Sequence, residues 1–232
     1  MFNPSEYNSL VSLGKVSLPK YMTNAISLNA GDYATFIVHE ENIIIVKDNI
    51  NVLKKDVFAT GITQKLDKQN RITIPSEIRN NLNLQKGTIL EIRQIRGSLV
   101  LREHHEGAGD NADAVRYILR KIEAPSEEQY IYRKVKSEGR IHLTEQIINA
   151  LGFKLDGFIQ FFLRKNELVL KELEVSFTSP DDSTYTGETR KLDEKGNLVV
   201  AKKSRDLLGI DIGDTILIKR EKNEVLLSKV KI

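Results

Sequence analysis

Four copies of one residue pattern run along this chain of 232 residues, and the repeat constrains the fold more than any other feature. Each copy has a turn residue, then a short alternation of apolar and polar residues, and an apolar residue twelve positions beyond the turn residue. The turn residues are Gly14, Asn70, Gly139 and Gly196. In the first, second and fourth copies a glycine follows seventeen positions beyond the turn residue. In the third copy the glycine comes one residue later, at Gly157. Such a repeat predicts that one small structural unit is used four times.

The second copy shows how one unit is expected to fold. A strand leads into a tight turn that needs asparagine or glycine, because its last residue has a positive φ. The alternation Ile72-Thr73-Ile74 predicts a second strand, which Pro75 ends. A short helix over Ser76–Asn81, with Ser76 as its cap, and a hairpin rich in β-branched residues are predicted to follow. The residues expected in the core are Ile72, Ile74, Leu82, Ile89 and Ile92.

The size of one unit predicts how the four units assemble. A unit of about 45 residues is too small to hold a core alone, so each must interleave with another. We therefore expect a mainly β protein with short helices, in which four units form two pseudo-twofold β-barrels. The first unit should pair with the second, and the third with the fourth. The expected boundaries are 1–59, 60–105, 130–175 and 186–232, with a connector at 106–129 that contains a helical run over 112–123.

The second unit resembles the AbrB/SpoVT/MazE looped-hinge family, from Thr60-Gly-Ile-Thr through Arg71-Ile-Thr-Ile-Pro to Gly87. The fourth unit resembles it nearly as well, and the first and third units match its skeleton. The resemblance implies AbrB-type swapped-hairpin barrels, in which two units exchange strands and a basic face binds DNA. The spacing from Asp67 to Arg71 is similar to that of MraZ-like proteins, which carry two units in tandem. This chain resembles that arrangement doubled.

The resemblance implies a DNA-binding transcriptional regulator whose basic residues contact double-stranded DNA. The candidate DNA-binding residues are Lys65, Lys68, Arg71, Arg79, Arg190, Lys191, Lys195 and Arg205. Arginine can contact guanine edges or phosphates with two donors, whereas lysine supplies a point charge. We therefore expect Arg71 and Arg79 to contact bases or the groove. Lys65 and Lys68 should contact phosphates.

The charge distribution favours the same units. Residues 60–103 include eight basic and four acidic residues, a net charge of +4, and residues 186–232 include eleven and eight, a net charge of +3. The rest of the chain carries a net charge of −4. Concentrated positive charge is what phosphate neutralisation requires. Two departures from the pattern are Asn197, where the second unit has Arg71, and Lys15 at the same position of the first unit. Asp67 either orients Arg71 through an ion pair or ends the strand, and we favour a structural role.

Other classes of protein find less support in the sequence. The chain has no cysteine, which excludes disulfides and thiolate metal sites. We find no His-Glu-x-x-His pattern, phosphate-binding glycine loop or Gly-x-Ser-x-Gly elbow, so we expect no enzyme, no cofactor and no metal. No signal peptide or membrane span is recognisable, and a cytoplasmic location is expected. The alternative function is an antitoxin-like module that holds a protein partner, and a homo-oligomer is left open. An enzyme is the third alternative, against which the lack of a catalytic constellation counts.

Overall fold

The computed structural model describes residues 5–49, 59–106, 129–173, 180–221 and 224–230. They fall into two compact units, which we call the first barrel (residues 5–48 and 59–106) and the second barrel (the described residues from 129 to 230). The predicted connector helix over 112–123 lies outside the described residues. In the part of the chain that is described, no helix is long and apolar enough to cross a membrane.

The first barrel contains a six-stranded antiparallel sheet with the order β1-β7-β8-β4-β3-β5. Its strands are β1 (Glu6–Ser9), β3 (Tyr33–His39), β4 (Asn42–Lys47), β5 (Ala59–Lys65), β7 (Ile89–Ile95) and β8 (Ser98–Glu103). A separate two-stranded sheet consists of β2 (Lys15–Ser17) and β6 (Arg71–Thr73). Helices α1 (Lys20–Ala25) and α2 (Ser76–Asn81) follow these two short strands. The strands of the two sequence units are therefore interleaved in one body.

The second barrel repeats this architecture. Its six-stranded antiparallel sheet has the order β13-β11-β12-β16-β15-β9. The strands are β9 (Gln129–Lys134), β11 (Phe158–Arg164), β12 (Glu167–Glu172), β13 (Thr184–Lys191), β15 (Thr215–Glu221) and β16 (Glu224–Lys229). The two-stranded sheet consists of β10 (Arg140–His142) and β14 (Asn197–Val199), and the helices are α3 (Glu145–Leu151) and α4 (Lys202–Leu208). The predicted fold class, mainly β with short helices and two barrels, is confirmed.

Each barrel has one large hydrophobic core, and the second has a further small buried cluster at Phe162, Val169 and Leu226. The first barrel shows where the burial prediction holds. Ile72, Ile74 and Ile92 are fully buried, as expected, and Leu82 packs against the core while remaining partly exposed. The prediction for Ile89 is wrong, because its side chain is 49% exposed. Ile89 is the first residue of β7, where successive side chains point to opposite faces of the sheet. Leu90 and Ile92 point inward, so Ile89 points outward.

The turn residues adopt the backbone conformation that the repeat predicts. Gly14, Asn70, Gly139 and Gly196 have φ values of 75°, 59°, 78° and 76°. The residue seventeen positions later also has a positive φ in all four units. This conformation corrects the alignment of the third unit. There the residue with positive φ is Asp156, at 64°, and not Gly157. Aspartate tolerates the left-handed region better than most side chains do, so the third unit keeps the spacing without glycine and without an inserted residue.

Two smaller motifs also have a structural explanation. The Thr-Gly pairs that open the second and fourth units form bulges at the sheet edges. Thr60 Oγ1 donates to the Phe36 carbonyl at 2.7 Å, and Thr186 Oγ1 donates to the Phe161 carbonyl at 2.8 Å. Helix α2 has the predicted bounds, but the prediction that Ser76 caps it is wrong. The capping position is Pro75, in extended conformation, and no side chain caps the helix. Ser76 already lies in its first turn.

Candidate nucleic-acid interface

The two-stranded sheet of the first barrel separates core-facing from outward-facing side chains. Its antiparallel register pairs Lys15 with Thr73, Val16 with Ile72 and Ser17 with Arg71. Val16 and Ile72 are fully buried, so the side chains on either side of them point outward. We call the outward set the first short-strand face, and its members are Lys15, Ser17, Arg71 and Thr73. The second short-strand face has the same construction and consists of Arg140, His142, Asn197 and Val199.

A tight turn lies at each end of the first short-strand face. Turn 1 (residues 12–14) precedes β2, and turn 2 (residues 67–70) precedes β6. The Ile74 amide donates to the Gly14 carbonyl at 2.8 Å, and the Leu18 amide donates to the Asn70 carbonyl at 2.9 Å. Each turn is thereby bonded to the residue that follows the other short strand. Turns and strands form one continuous ribbon, with exposed Lys68 in turn 2.

Asp67 both shapes turn 2 and orients Arg71. Its Oδ1 accepts the backbone amides of Gln69 and Arg71, each at 2.9 Å. Its Oδ2 accepts Arg71 Nε at 2.9 Å, while Arg71 Nη2 donates to Gln69 Oε1 at 2.6 Å. Desolvation raises the pKa of Asp67, but the hydrogen bonds from Arg71 and Gln69 outweigh it and hold that pKa below its usual value. The two readings of Asp67 are therefore compatible, since one carboxylate performs both roles.

The fourth unit preserves this arrangement without the arginine. Asp193 Oδ1 accepts the backbone amides of Lys195 and Asn197, at 2.9 and 2.7 Å. Asn197 Nδ2 donates to Asp193 Oδ2 at 3.0 Å and so takes the place of Arg71 in the turn. Both turns therefore have a side-chain donor to the aspartate at this position, and only in the second unit does that donor carry a positive charge.

The helix arginines Arg79 and Arg205 pack against the turn of the paired unit. Arg79 Nε donates to the Ile74 carbonyl at 3.0 Å, and the side chain lies over Gly14, where an added Cβ would be 2.8 Å from Arg79 Cδ. Arg205 repeats this contact with the Val200 carbonyl at 3.1 Å and lies over Gly139. Each arginine belongs to one unit and covers the turn of the other. Their Nε atoms are occupied, so any contact with bases would have to use the terminal nitrogens.

The remaining candidates divide between the barrels. Lys65 is exposed, and its Nζ lies 5.8 Å from the centroid of the Tyr33 ring, within cation–π range. At the same strand position in the second barrel, Lys191 Nζ is 2.6 Å from Asp156 Oδ1, and that hydrogen bond raises the pKa of Lys191. Arg190 forms an ion pair with Glu188. Lys195 is exposed in its turn, directly after Glu194.

The structure thus brings Lys68 and Arg71 onto one ribbon, and it places Arg79 and Arg205 on the turns of their partner units. The sequence prediction omitted Lys15 and Arg140 from the candidate residues. Each directly follows its turn residue, at the position that Arg71 occupies in the second unit, so the repeat itself contained the signal. Among the described residues, no group of three or more histidine or acidic side chains is placed to hold a metal ion.

Comparison with known proteins identifies one segment. Residues 63–107 match the family model described as "Antidote-toxin recognition MazE, bacterial antitoxin". The matched segment runs from β5 through turn 2, β6 and α2 to the end of β8. No curated protein matches the chain.

Similarity to solved structures is weak. The solution structure of PHS018 from Pyrococcus horikoshii has 21% identity, with 44% of this chain and 95% of that chain covered, and a TM-score of 0.25. A DNA polymerase III subunit beta DnaN sliding clamp from Bartonella birtlesii LL-WM9 has 13% identity, with 100% and 68% covered, and a TM-score of 0.19. TM-scores this low do not indicate a shared fold. The comparisons therefore identify a MazE-type domain at residues 63–107, within the first barrel.

Proposed function

We propose that the protein is a DNA-binding transcriptional regulator of the AbrB type that contacts duplex DNA through the first short-strand face and turn 2. At family level, the MazE-type domain supports a DNA-binding or antitoxin-type module. The observation that carries the proposal is the placement of Lys15, Lys68 and Arg71 on one ribbon at the surface, whose strand residues Val16 and Ile72 point into the core.

The dimensions of this ribbon fit a DNA groove. Three residue pairs at about 3.3 Å per residue give a ribbon roughly 10 Å long. The major groove of B-DNA is about 12 Å wide and admits a two-stranded β-ribbon. Because the two short strands come from paired units, Lys15 and Arg71 occupy equivalent positions about a pseudo-twofold axis. Such a face suits a duplex with two approximately symmetric half-sites.

The contacts around Arg71 prepare it for binding. Asp67 and Gln69 hold its guanidinium in one orientation, so little side-chain freedom is lost when DNA binds. We assign Arg71 to a base edge or groove contact. Lys15, Lys65 and Lys68 are assigned to phosphates. The other candidate cations lie in the second barrel or, like Arg79, pack against the turn of the paired unit.

We further propose that all four units descend from one AbrB-type unit, so that the second barrel is a second copy of the first. The left-handed turn residues, the Thr-Gly bulges and the paired helix arginines support this repeat. We also retain the proposals that the protein is not an enzyme and acts in the cytoplasm.

The second candidate function is an antitoxin-like module that holds a protein partner. The observation that favours it is the family of the matched segment, which is described as a bacterial antitoxin. Under this alternative the first barrel, or another surface of the chain, would bind the protein partner. Absence of duplex binding would exclude the regulator. Duplex binding would not exclude the antitoxin-like module, because one protein can bind both DNA and a protein partner.

The test is selection of duplexes from a random pool by the full chain, followed by gel shifts at about 50 and 200 mM salt. Arg71→Gln should weaken binding to the selected duplex by about tenfold, which corresponds to about 1.4 kcal/mol. The matched control is Arg96→Gln, because Arg96 is exposed in the turn between β7 and β8 and belongs to neither short strand. Arg96→Gln should bind like the wild type.

The salt dependence gives a second measurement. Lys68→Ala should weaken all duplexes similarly and reduce the slope of log affinity against log salt by about one. Wild-type protein that binds no duplex at about 50 mM salt would remove the regulator proposal and leave the protein-interaction module. Equal losses in the Arg71 and Arg96 variants would show that the first short-strand face is not the interface.

A further inference from the structure

Leu13 is the most exposed large apolar residue of the described chain. It lies in turn 1, next to the first short-strand face, and its side chain is 81% exposed. Its backbone is left-handed, with φ of 62° and ψ of 16°. A bulky side chain disfavours this conformation, which glycine, asparagine or aspartate adopt more easily. Turn 1 therefore carries both a solvation cost and a backbone cost at one residue, and strained residues of this kind cluster at functional sites.

The turn holds Leu13 in a fixed position. The Val11 amide donates to the Lys15 carbonyl at 2.8 Å, and the Gly14 amide donates to the Val11 carbonyl at 3.1 Å. From the other unit, Ile74 bonds Gly14 and Arg79 covers it. The backbone on both sides of Leu13 is thus fixed by contacts that do not involve its side chain. The isobutyl group projects from a rigid support beside Lys15.

The second barrel shows that this turn does not require a leucine. Glu138 occupies the equivalent position in the turn before β10, with φ of 63° and ψ of 10°. Its carboxylate forms an exposed ion pair with Arg140 at 2.8 Å. The same backbone therefore accepts a charged residue, which would be better solvated. The backbone of turn 1 therefore does not account for the choice of leucine at this position.

We propose that Leu13 contacts the C5-methyl group of a thymine in the major groove and so determines sequence preference at one base pair. This inference rests on the proposed DNA-binding function. The thymine methyl is the apolar group that base pairs present in the major groove, and apolar side chains read it by direct contact. Lys15, two residues along the ribbon, supplies the phosphate contact that positions the turn. A cationic neighbour suits a polyanion better than the apolar centre of a protein interface, where lysine is depleted.

The experiment removes single methyl groups from the DNA. In the duplex selected by the wild-type protein, each thymine is replaced in turn by deoxyuridine, and affinities are measured for the full chain. The wild type should lose about fourfold in affinity at one position, as expected for burial of one methyl group. Leu13→Ala should bind the thymine and deoxyuridine duplexes equally at that position. The matched control is Leu207→Ala, because Leu207 is a 47%-exposed leucine in α4 of the second barrel. It should keep the wild-type methyl dependence.

Each alternative result has a distinct meaning. Duplex binding that is insensitive to every deoxyuridine substitution, or a Leu13→Ala variant that keeps the methyl dependence, overturns the role of Leu13 and leaves the proposed function standing. Absence of duplex binding by the wild type overturns both. Circular dichroism of Leu13→Ala and of Leu13→Gly, which adopts the left-handed conformation readily, verifies that the barrel is folded. Preserved DNA binding with loss of self-association in Leu13→Ala would assign the leucine to a protein contact instead.

Discussion

The two barrels share a skeleton and differ at the surface that the skeleton presents. Both have a six-stranded sheet, a two-stranded sheet, and arginines that cover the turn of the paired unit. The outward positions of the short strands are Lys15, Ser17, Arg71 and Thr73 in the first barrel, and Arg140, His142, Asn197 and Val199 in the second. The fold therefore constrains the inward residues and the turns. Function must be sought in the outward residues, where the barrels diverge.

Net charge alone does not show which cations of the second barrel are already paired with acidic groups. Its cations Arg190 and Lys191 are paired with Glu188 and Asp156. In the first barrel, Lys65 lies over the aromatic ring of Tyr33, and this contact does not neutralise its charge. The net charge of a sequence segment is thus a weaker indicator of a DNA-binding surface than the contacts that each of its cations makes.

The largest predicted effect tests whether the turn before the second short strand packs equally tightly in the two barrels. A Cβ added to Gly196 would collide with the Leu143 carbonyl oxygen and lie 3.2 Å from its carbon, and the residue has a positive φ. Because a backbone carbonyl cannot move aside cheaply, Gly196→Ala should reduce the free energy of unfolding by about 2–4 kcal/mol. Urea unfolding followed by circular dichroism measures it. The control is Gly97→Ala, because a Cβ there would meet nothing within 4 Å.

The equivalent residue of the first barrel sharpens the comparison. Asn70 already carries a side chain, whose Nδ2 donates to the Leu18 carbonyl and to Thr23 Oγ1. Gly196 makes its close approach to the corresponding carbonyl with no side chain at all. A Gly196→Ala variant as stable as Gly97→Ala would show that the second barrel has room at this turn, and that its closure differs from what the contacts indicate.

The sequence predicted the skeleton well because each element depends on local rules. Asn70 and the turn glycines were recognisable from the positive φ that a tight turn requires. The pairing of units followed from the size of one unit. A pattern that requires glycine selects Gly157 in the third unit, whereas the backbone requires only a left-handed residue, which is Asp156. Ile89 was misassigned because composition alone does not give the strand register that turns it outward.

The candidate site was less predictable, because it depends on contacts between distant residues. Sequence shows that Arg79 and Arg205 are basic, but it does not show that each lies over a glycine of the other unit. Arg71 was identified through the resemblance, and its hydrogen bond to Gln69 required coordinates. Lys15 is absent from the candidate residues because family resemblance in the first unit extends only to the skeleton. Long-range side-chain placement is what the structure adds.

A prediction of intermediate size compares the same repeat position in both barrels. Lys15→Gln should weaken binding to the selected duplex by about fivefold at about 0.1 M salt and make the salt slope shallower by about one, because one phosphate contact is lost. Arg140→Gln should change the affinity by less than about twofold, since Arg140 lies on the second short-strand face, which the proposed interface does not include. Gel shifts of the two variants at two salt concentrations measure both effects. The reverse order would assign the DNA interface to the second barrel.

The smallest predicted effect concerns the aspartates that both barrels retain. Desolvation raises the pKa of Asp193, as it does that of Asp67, but hydrogen bonds to each carboxylate outweigh it and hold both pKa values below their usual range. A carboxylate with a lowered folded-state pKa stabilises the protein above its unfolded pKa of about 3.9, and this contribution is lost as the pH falls through the folded pKa. Asp67→Asn and Asp193→Asn should therefore each reduce stability more at pH 6 than at pH 3.

The measurement is urea unfolding of the wild type and the two variants at both pH values, so that each variant is its own control. The difference from the wild type should shrink as the pH falls, because protonation removes the same carboxylate charge from the wild type. Both variants should respond in the same direction, since Asp67 and Asp193 accept the same two backbone amides in equivalent turns. A difference that grows toward pH 3 would mean that the carboxylates are not stabilised in the folded state. A response in Asp67→Asn alone would mean that the ion pair between Asp67 and Arg71 produces the effect, because Asp193 has the neutral Asn197 in place of that arginine. The turns of the two barrels would then not be equivalent.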